Sequence, residues 1–102
     1  MLDLSLNLTE DTEKKLRKIL DQYPDEEQFA QSIIDYEIGE IKKGIINIQI
    51  DLKNFEKKYN LSTENFYKNF ESGKLGDQKD YMIWAGIYEM LLQNEKRLME
   101  LE

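Results

Sequence analysis

The residue types that could do chemistry in this chain are few. Histidine and cysteine are both absent from its 102 residues. No Ser-His-Asp or Cys-His nucleophile pair can be built without them, and no zinc site of histidine and cysteine ligands, structural or catalytic. Carboxylates, lysines, tyrosines and hydroxyls are what remain. A carboxylate-held divalent metal stays possible as a route to catalysis, and no clustered Asp/Glu motif is visible for it. The expectation is therefore a protein without catalytic residues, metal or cofactor, one that works by contact.

Groups that could recognise another macromolecule are better represented. Asp3, Ser5 and Asn7 alternate with Leu2, Leu4, Leu6 and Leu8. Strict alternation is the signature of a half-buried strand, with the polar set on one side and the leucines on the other. No other segment is as clear a partner, and a lone strand leaves its edges unpaired. The same strand of a second chain would pair it. Lys14, Lys15, Arg17 and Lys18 come next, on the first helix, as candidate phosphate contacts or as an ordinary solvated helix face.

The elements that must position these groups are mostly helices. Thr9 is placed to cap the first, with Leu16, Ile19, Leu20 and Tyr23 at helical spacing. Pro24 ends it, and Asp25 is placed to cap the second. Two patterns then compete along the second helix. Residues 46–52 alternate like a strand, while Ile34, Ile38, Ile41, Ile45, Ile48, Leu52, Phe55 and Tyr59 repeat at spacings of four and three. The heptad explains more residues and predicts a helix, weakened at Gly39 and Gly44 and open to a kink near Gly44. Ser62 caps a short helix over 63–70. A turn-rich linker at 72–77 leads to a last helix bearing Trp84, Ile87, Leu91, Leu98 and Leu101.

Composition sets the outer limits. The net charge is −7, which repels a phosphate backbone. No run of 18 apolar residues and no leader-like start are present, so neither membrane nor export is expected, and the lack of cysteine suits a cytoplasmic setting. A small core without disulfides favours oligomerisation.

Strand, helix, tight turn and helix over residues 1–44 resemble the ribbon-helix-helix fold. The resemblance implies a homodimer paired through Leu4, Leu6 and Leu8 and supported by Ile33. It also implies a ribbon presenting Asp3, Ser5 and Asn7 to operator DNA, with Lys14 and Lys15 near phosphate. Two features depart from that pattern: the ribbon carries no basic residue, and the second helix opens on Asp25-Glu26-Glu27. Downstream, Phe55-Glu56-Lys57-Lys58-Tyr59 is followed by Ser62, Glu64, Phe66 and Phe70, then Gly73-Lys74-Leu75-Gly76-Asp77, Asp80 and Trp84. This resembles the carboxy-terminal region of small prokaryotic antitoxins.

Together the two resemblances imply a mainly α fold with an amino-terminal strand. Residues 1–44 would form a dimerisation region and 45–102 a helical partner-binding region. The function implied is neutralisation of a cognate toxin encoded nearby, with autoregulation of transcription. Phe66, Phe70, Trp84 and Tyr88 are the candidate anchors, since aromatics favour interfaces; the same residues could equally pack the last helices together. The competing expectation from the heptad is a structural coiled-coil dimerisation or adaptor module that binds no DNA.

Overall fold

Polar caps start three of the helices in the computed structural model, which describes residues 5–102. Among the described residues there are four: α1 (Glu10–Leu20), α2 (Glu26–Tyr59), α3 (Thr63–Glu71) and α4 (Lys79–Leu101). Thr9 accepts from the Thr12 amide at the start of α1, and Asp25 Oδ1 accepts from Gln28 N at 2.7 Å at the start of α2. Ser62 does the same for Asn65 N in α3. Each cap supplies an acceptor for an amide that has no partner within its helix.

Two helix ends use left-handed backbone. Asn60, with φ 51°, closes α2, and Leu61 N donates back to Glu56 O. Gly73, with φ 76°, closes α3, and Lys74 N donates to Asn69 O while Gly73 N donates to Phe70 O. In both, the residue beyond the cap turns left-handed and the next amide reaches back to a carbonyl that the helix leaves free. Glycine adopts that conformation freely, and asparagine tolerates it.

The long second helix obeys the heptad. It runs unbroken through Gly39 and Gly44, and residues 46–52 are helical. The predicted amino-terminal strand is not seen among the described residues. Residues 5–9 have no ladder partner, and no strand occurs among the described residues. Leu2, Asp3 and Leu4 lie outside the described residues. A strand needs a second edge, and the only other alternating segment is committed to α2. Leu6 and Leu8 instead line a groove with Leu16, Leu20 and Phe29. The alternation therefore serves packing of an extended segment on helices. The ribbon-helix-helix expectation is corrected to an all-helical fold.

Contacts divide the chain into two compact units, with the change falling inside α2 between Asp35 and Tyr36; the sequence pattern places its boundary after residue 44. The carboxy-terminal unit has a true core of Ile48, Leu52, Phe66, Trp84, Ala85 and Leu91. Phe55, Tyr59, Tyr81 and Tyr88 are half-buried against it. In the amino-terminal unit none of the described residues is buried. Tyr23 and Phe29 meet edge to face at 5.6 Å, while Leu6 remains 64% exposed, Leu8 41%, Ile19 49% and Ile33 52%.

Local stability tracks buried apolar contact. Amide hydrogen exchange should therefore show least protection in α1 and most around Ile48–Phe55 and Trp84–Leu91. Equal protection of α1 and α4 would contradict this account.

Candidate functional site

Trp84 is the centre of the carboxy-terminal unit. It is fully buried, and its ring lies 3.8 Å from that of Phe66 at 4°, 5.5 Å from Phe55 and 5.8 Å from Tyr59. Heptad spacing on α2 brings Phe55 and Tyr59 to the same side, and the Ser62 cap starts α3 so that Phe66 faces them. The indole would be left with an unsatisfied N–H in this apolar setting. Instead Nε1 donates to Thr63 Oγ1 at 3.0 Å, and Thr63 is itself buried. The Thr63 amide donates to Glu56 Oε2 at 2.7 Å.

A second polar cluster ties α2 to the start of α4. Asp80 Oδ2 accepts from Lys58 Nζ at 2.6 Å and from the Tyr59 hydroxyl at 2.5 Å. The Lys58 and Tyr59 hydrogen bonds hold the Asp80 carboxyl below its ordinary range. Asp80 in turn raises Lys58 and Tyr59, chiefly through those same bonds. On the other flank the Tyr67 hydroxyl donates to Glu89 at 2.9 Å, and the carboxylates of Glu71 and Glu89 push its pKa up. These tyrosines are held protonated, the reverse of what a tyrosinate nucleophile or base needs.

Two of the four predicted partner anchors are thus placed inside. Phe66 and Trp84 are fully buried and present no surface to a partner in this fold. Phe70 and Tyr88 are half-buried against the core, Tyr88 edge-on to Tyr67 at 4.9 Å. The physical reason is the pairing of Trp84 with Thr63, which fixes the indole in the interior. Among the described residues no group of three or more acids could hold a metal. A cleft of about 540 Å³ lies beside Leu52, Thr63, Tyr88 and Leu91; of its two carboxylates, Glu56 and Glu64, the first is engaged with the Thr63 amide.

The amino-terminal candidates remain at the surface. Ser5 and Asn7 are exposed in the extended segment, without the ribbon that would aim them at base edges. Asp3 and Leu4 lie outside the described residues. Lys14 and Lys15 are exposed, and Lys15 pairs with Asp11 at 3.0 Å. Leu6 and Leu8 line the groove of about 360 Å³ over Leu16, Leu20 and Phe29, while Ile33 stays exposed. Sequence reasoning names these residues without seeing the groove they form. The signal available is the surplus of apolar positions at 6–29 over anything one short helix could bury.

The downstream antitoxin-like pattern has a structural explanation at nearly every position. Phe55, Tyr59, Phe66, Phe70, Leu75 and Trp84 pack the core. Glu56 holds Thr63, Ser62 caps α3, and Asp80 joins Lys58 to Tyr59. Gly73 supplies the left-handed turn. Comparison of the chain with protein-family models, curated proteins and solved structures gives no match.

Thr63→Val removes the acceptor of a buried N–H with little change in shape. It should cost about 1–3 kcal/mol, measured by denaturant unfolding followed through Trp84 fluorescence. Asp80 predicts a pH effect. Its folded pKa lies below the unfolded value, so its contribution is present above about pH 4 and fades as pH falls through the folded pKa. Asp80→Asn should therefore unfold earlier than the parent at neutral pH and converge with it in acid. A gap of equal size at both pH values would count against the Lys58–Asp80–Tyr59 cluster.

Proposed function

We propose that this chain is a protein-binding module of antitoxin-like kind, which acts by holding a partner protein. The observation that carries the reading is the contrast between its two units. The carboxy-terminal unit satisfies its own core. The amino-terminal unit buries no described residue and leaves Leu6, Leu8, Ile19 and Ile33 between 41% and 64% exposed, whereas the carboxy-terminal unit exposes Ile46, Ile50, Met82 and Met90 around a filled core. A unit in that condition gains apolar burial, at about 25 cal/mol per Å², only when something else covers it.

The division of labour differs from the one the sequence suggests. The aromatics of residues 55–88 supply a folded scaffold, and recognition falls to the amino-terminal unit. That the partner is a toxin encoded beside this chain rests on the sequence pattern at residues 55–84. The burial contrast supports a protein partner more generally.

One observation favours self-association as a second reading. The heptad stripe of α2 is buried at Ile41, Ile48 and Leu52 but exposed at Ile34, and Ile46 and Ile50 lie exposed on the outer side of the helix. A coiled-coil module would use such positions between copies.

Co-expression with each neighbouring open reading frame tests the proposal. The expected outcome is that one neighbour arrests growth alone, is tolerated with this chain, and co-purifies with it at a fixed ratio by size-exclusion light scattering. A chain that runs alone as a dimer, with no toxic neighbour, would favour the coiled-coil reading instead.

A further inference from the structure

The amino-terminal groove has a chemistry as well as a shape. Its floor is apolar: Leu6, Leu8, Leu16, Leu20 and Phe29. Its polar lining is Glu13, Arg17 and Glu26. Arg17 does not make the rim basic, because its guanidinium is held by Glu13 at 3.0 Å. Glu26 sits in the first turn of α2, and among the described residues it forms no ion pair.

The segment that carries the groove is acidic as a whole. Residues 1–35 contain nine acids and four bases, a net charge of −5 out of −7 for the whole chain. Two of the four bases, Lys15 and Arg17, are paired with acids one turn away on α1. Asp21, Asp25, Glu26 and Glu27 fall within seven residues without a base among them, and among the described residues none is ion-paired.

We infer that the groove formed by Leu6, Leu8, Leu16, Leu20 and Phe29 seats a basic amphipathic segment of a partner protein, its apolar face on the leucines and its Lys/Arg side chains toward Glu26 and the 21–27 acids. This rests on the protein-binding reading above and specifies the partner's chemistry. An amphipathic helix laid in an apolar groove is a recurrent recognition mode, and complementary charge raises the association rate and excludes wrong partners. Charge disfavours a second copy of this unit as the occupant. Two copies would bring Glu26 and a segment of net −5 against their own likeness, and like charges at close range repel. An anionic membrane or nucleic acid is disfavoured on the same sign.

Fluorescence anisotropy with the full chain tests the inference. The probes are two labelled synthetic helices with one leucine pattern, one carrying lysines and the other glutamates. The lysine helix should bind at least tenfold more tightly than the glutamate helix, and its affinity should fall as salt rises. Leu8→Asn, at an exposed position in the extended segment, should weaken it at least tenfold while Trp84 fluorescence stays unchanged. Glu26→Lys should shrink the preference for lysine over glutamate.

Equal binding of the two helices, or an unaltered affinity in Leu8→Asn, would overturn the inference. So would a dimer of the free chain that Leu8→Asn dissolves, since the second copy would then be the occupant. The broader reading fails separately. A neighbour that co-purifies equally well with the parent and with Leu8→Asn would overturn the groove and leave a protein-binding module with its site elsewhere. A chain that binds the lysine helix as expected but has no neighbour partner would retain the groove and lose the antitoxin assignment.

Discussion

The carboxy-terminal unit depends on one requirement: the indole N–H of Trp84 must find an acceptor in a place with no water. Burying the ring contributes apolar area and stacking on Phe66. Leaving its N–H unpaired would cancel much of that gain. Thr63 meets the need, and it is available because the Ser62 cap begins α3 there. Glu56 then fixes the Thr63 backbone from α2. Three helices are tied at one point, and the chain reversal at Asn60 is what lets them meet.

The rest of that unit is governed by the antiparallel match of α2 and α4. Lys58 and Tyr59 meet Asp80 near one end, and Glu37 meets Arg97 toward the other. These ion pairs are largely exposed and individually weak; their role is register more than strength. The aromatic cluster supplies the energy, and the polar contacts decide which turn of α2 lies beside which turn of α4.

The amino-terminal unit is built on a different balance. Its caps and turns are well formed, with Thr9, Asp25 and the bonds from Gln22 and Tyr23 closing the chain between α1 and α2. Local hydrogen bonding is well supplied while burial is not. Shape without a core suits an element that becomes fully stable only when covered, because the covering surface supplies the missing apolar contact.

What the sequence by itself determined was local. The helix starts at Thr9, Asp25 and Ser62 were legible because a side-chain acceptor before an apolar-periodic run has one common use. The long heptad of α2 was legible because its period persists over many residues. The lack of histidine and cysteine removed whole classes of chemistry before any fold was known. Tertiary structure decided the rest. Alternating leucines at 2–8 read as a strand because alternation reports only which side chains share a side; whether Leu6 and Leu8 meet a second strand or a pair of helices is a long-range matter. Aromatics at 55–88 read equally as core or as anchors, since both uses want large apolar rings. Only the pairing of Trp84 with Thr63, 21 residues away, fixed the indole inside against Phe66, and only the fold shows that the apolar residues of the amino-terminal unit are left without a buried core.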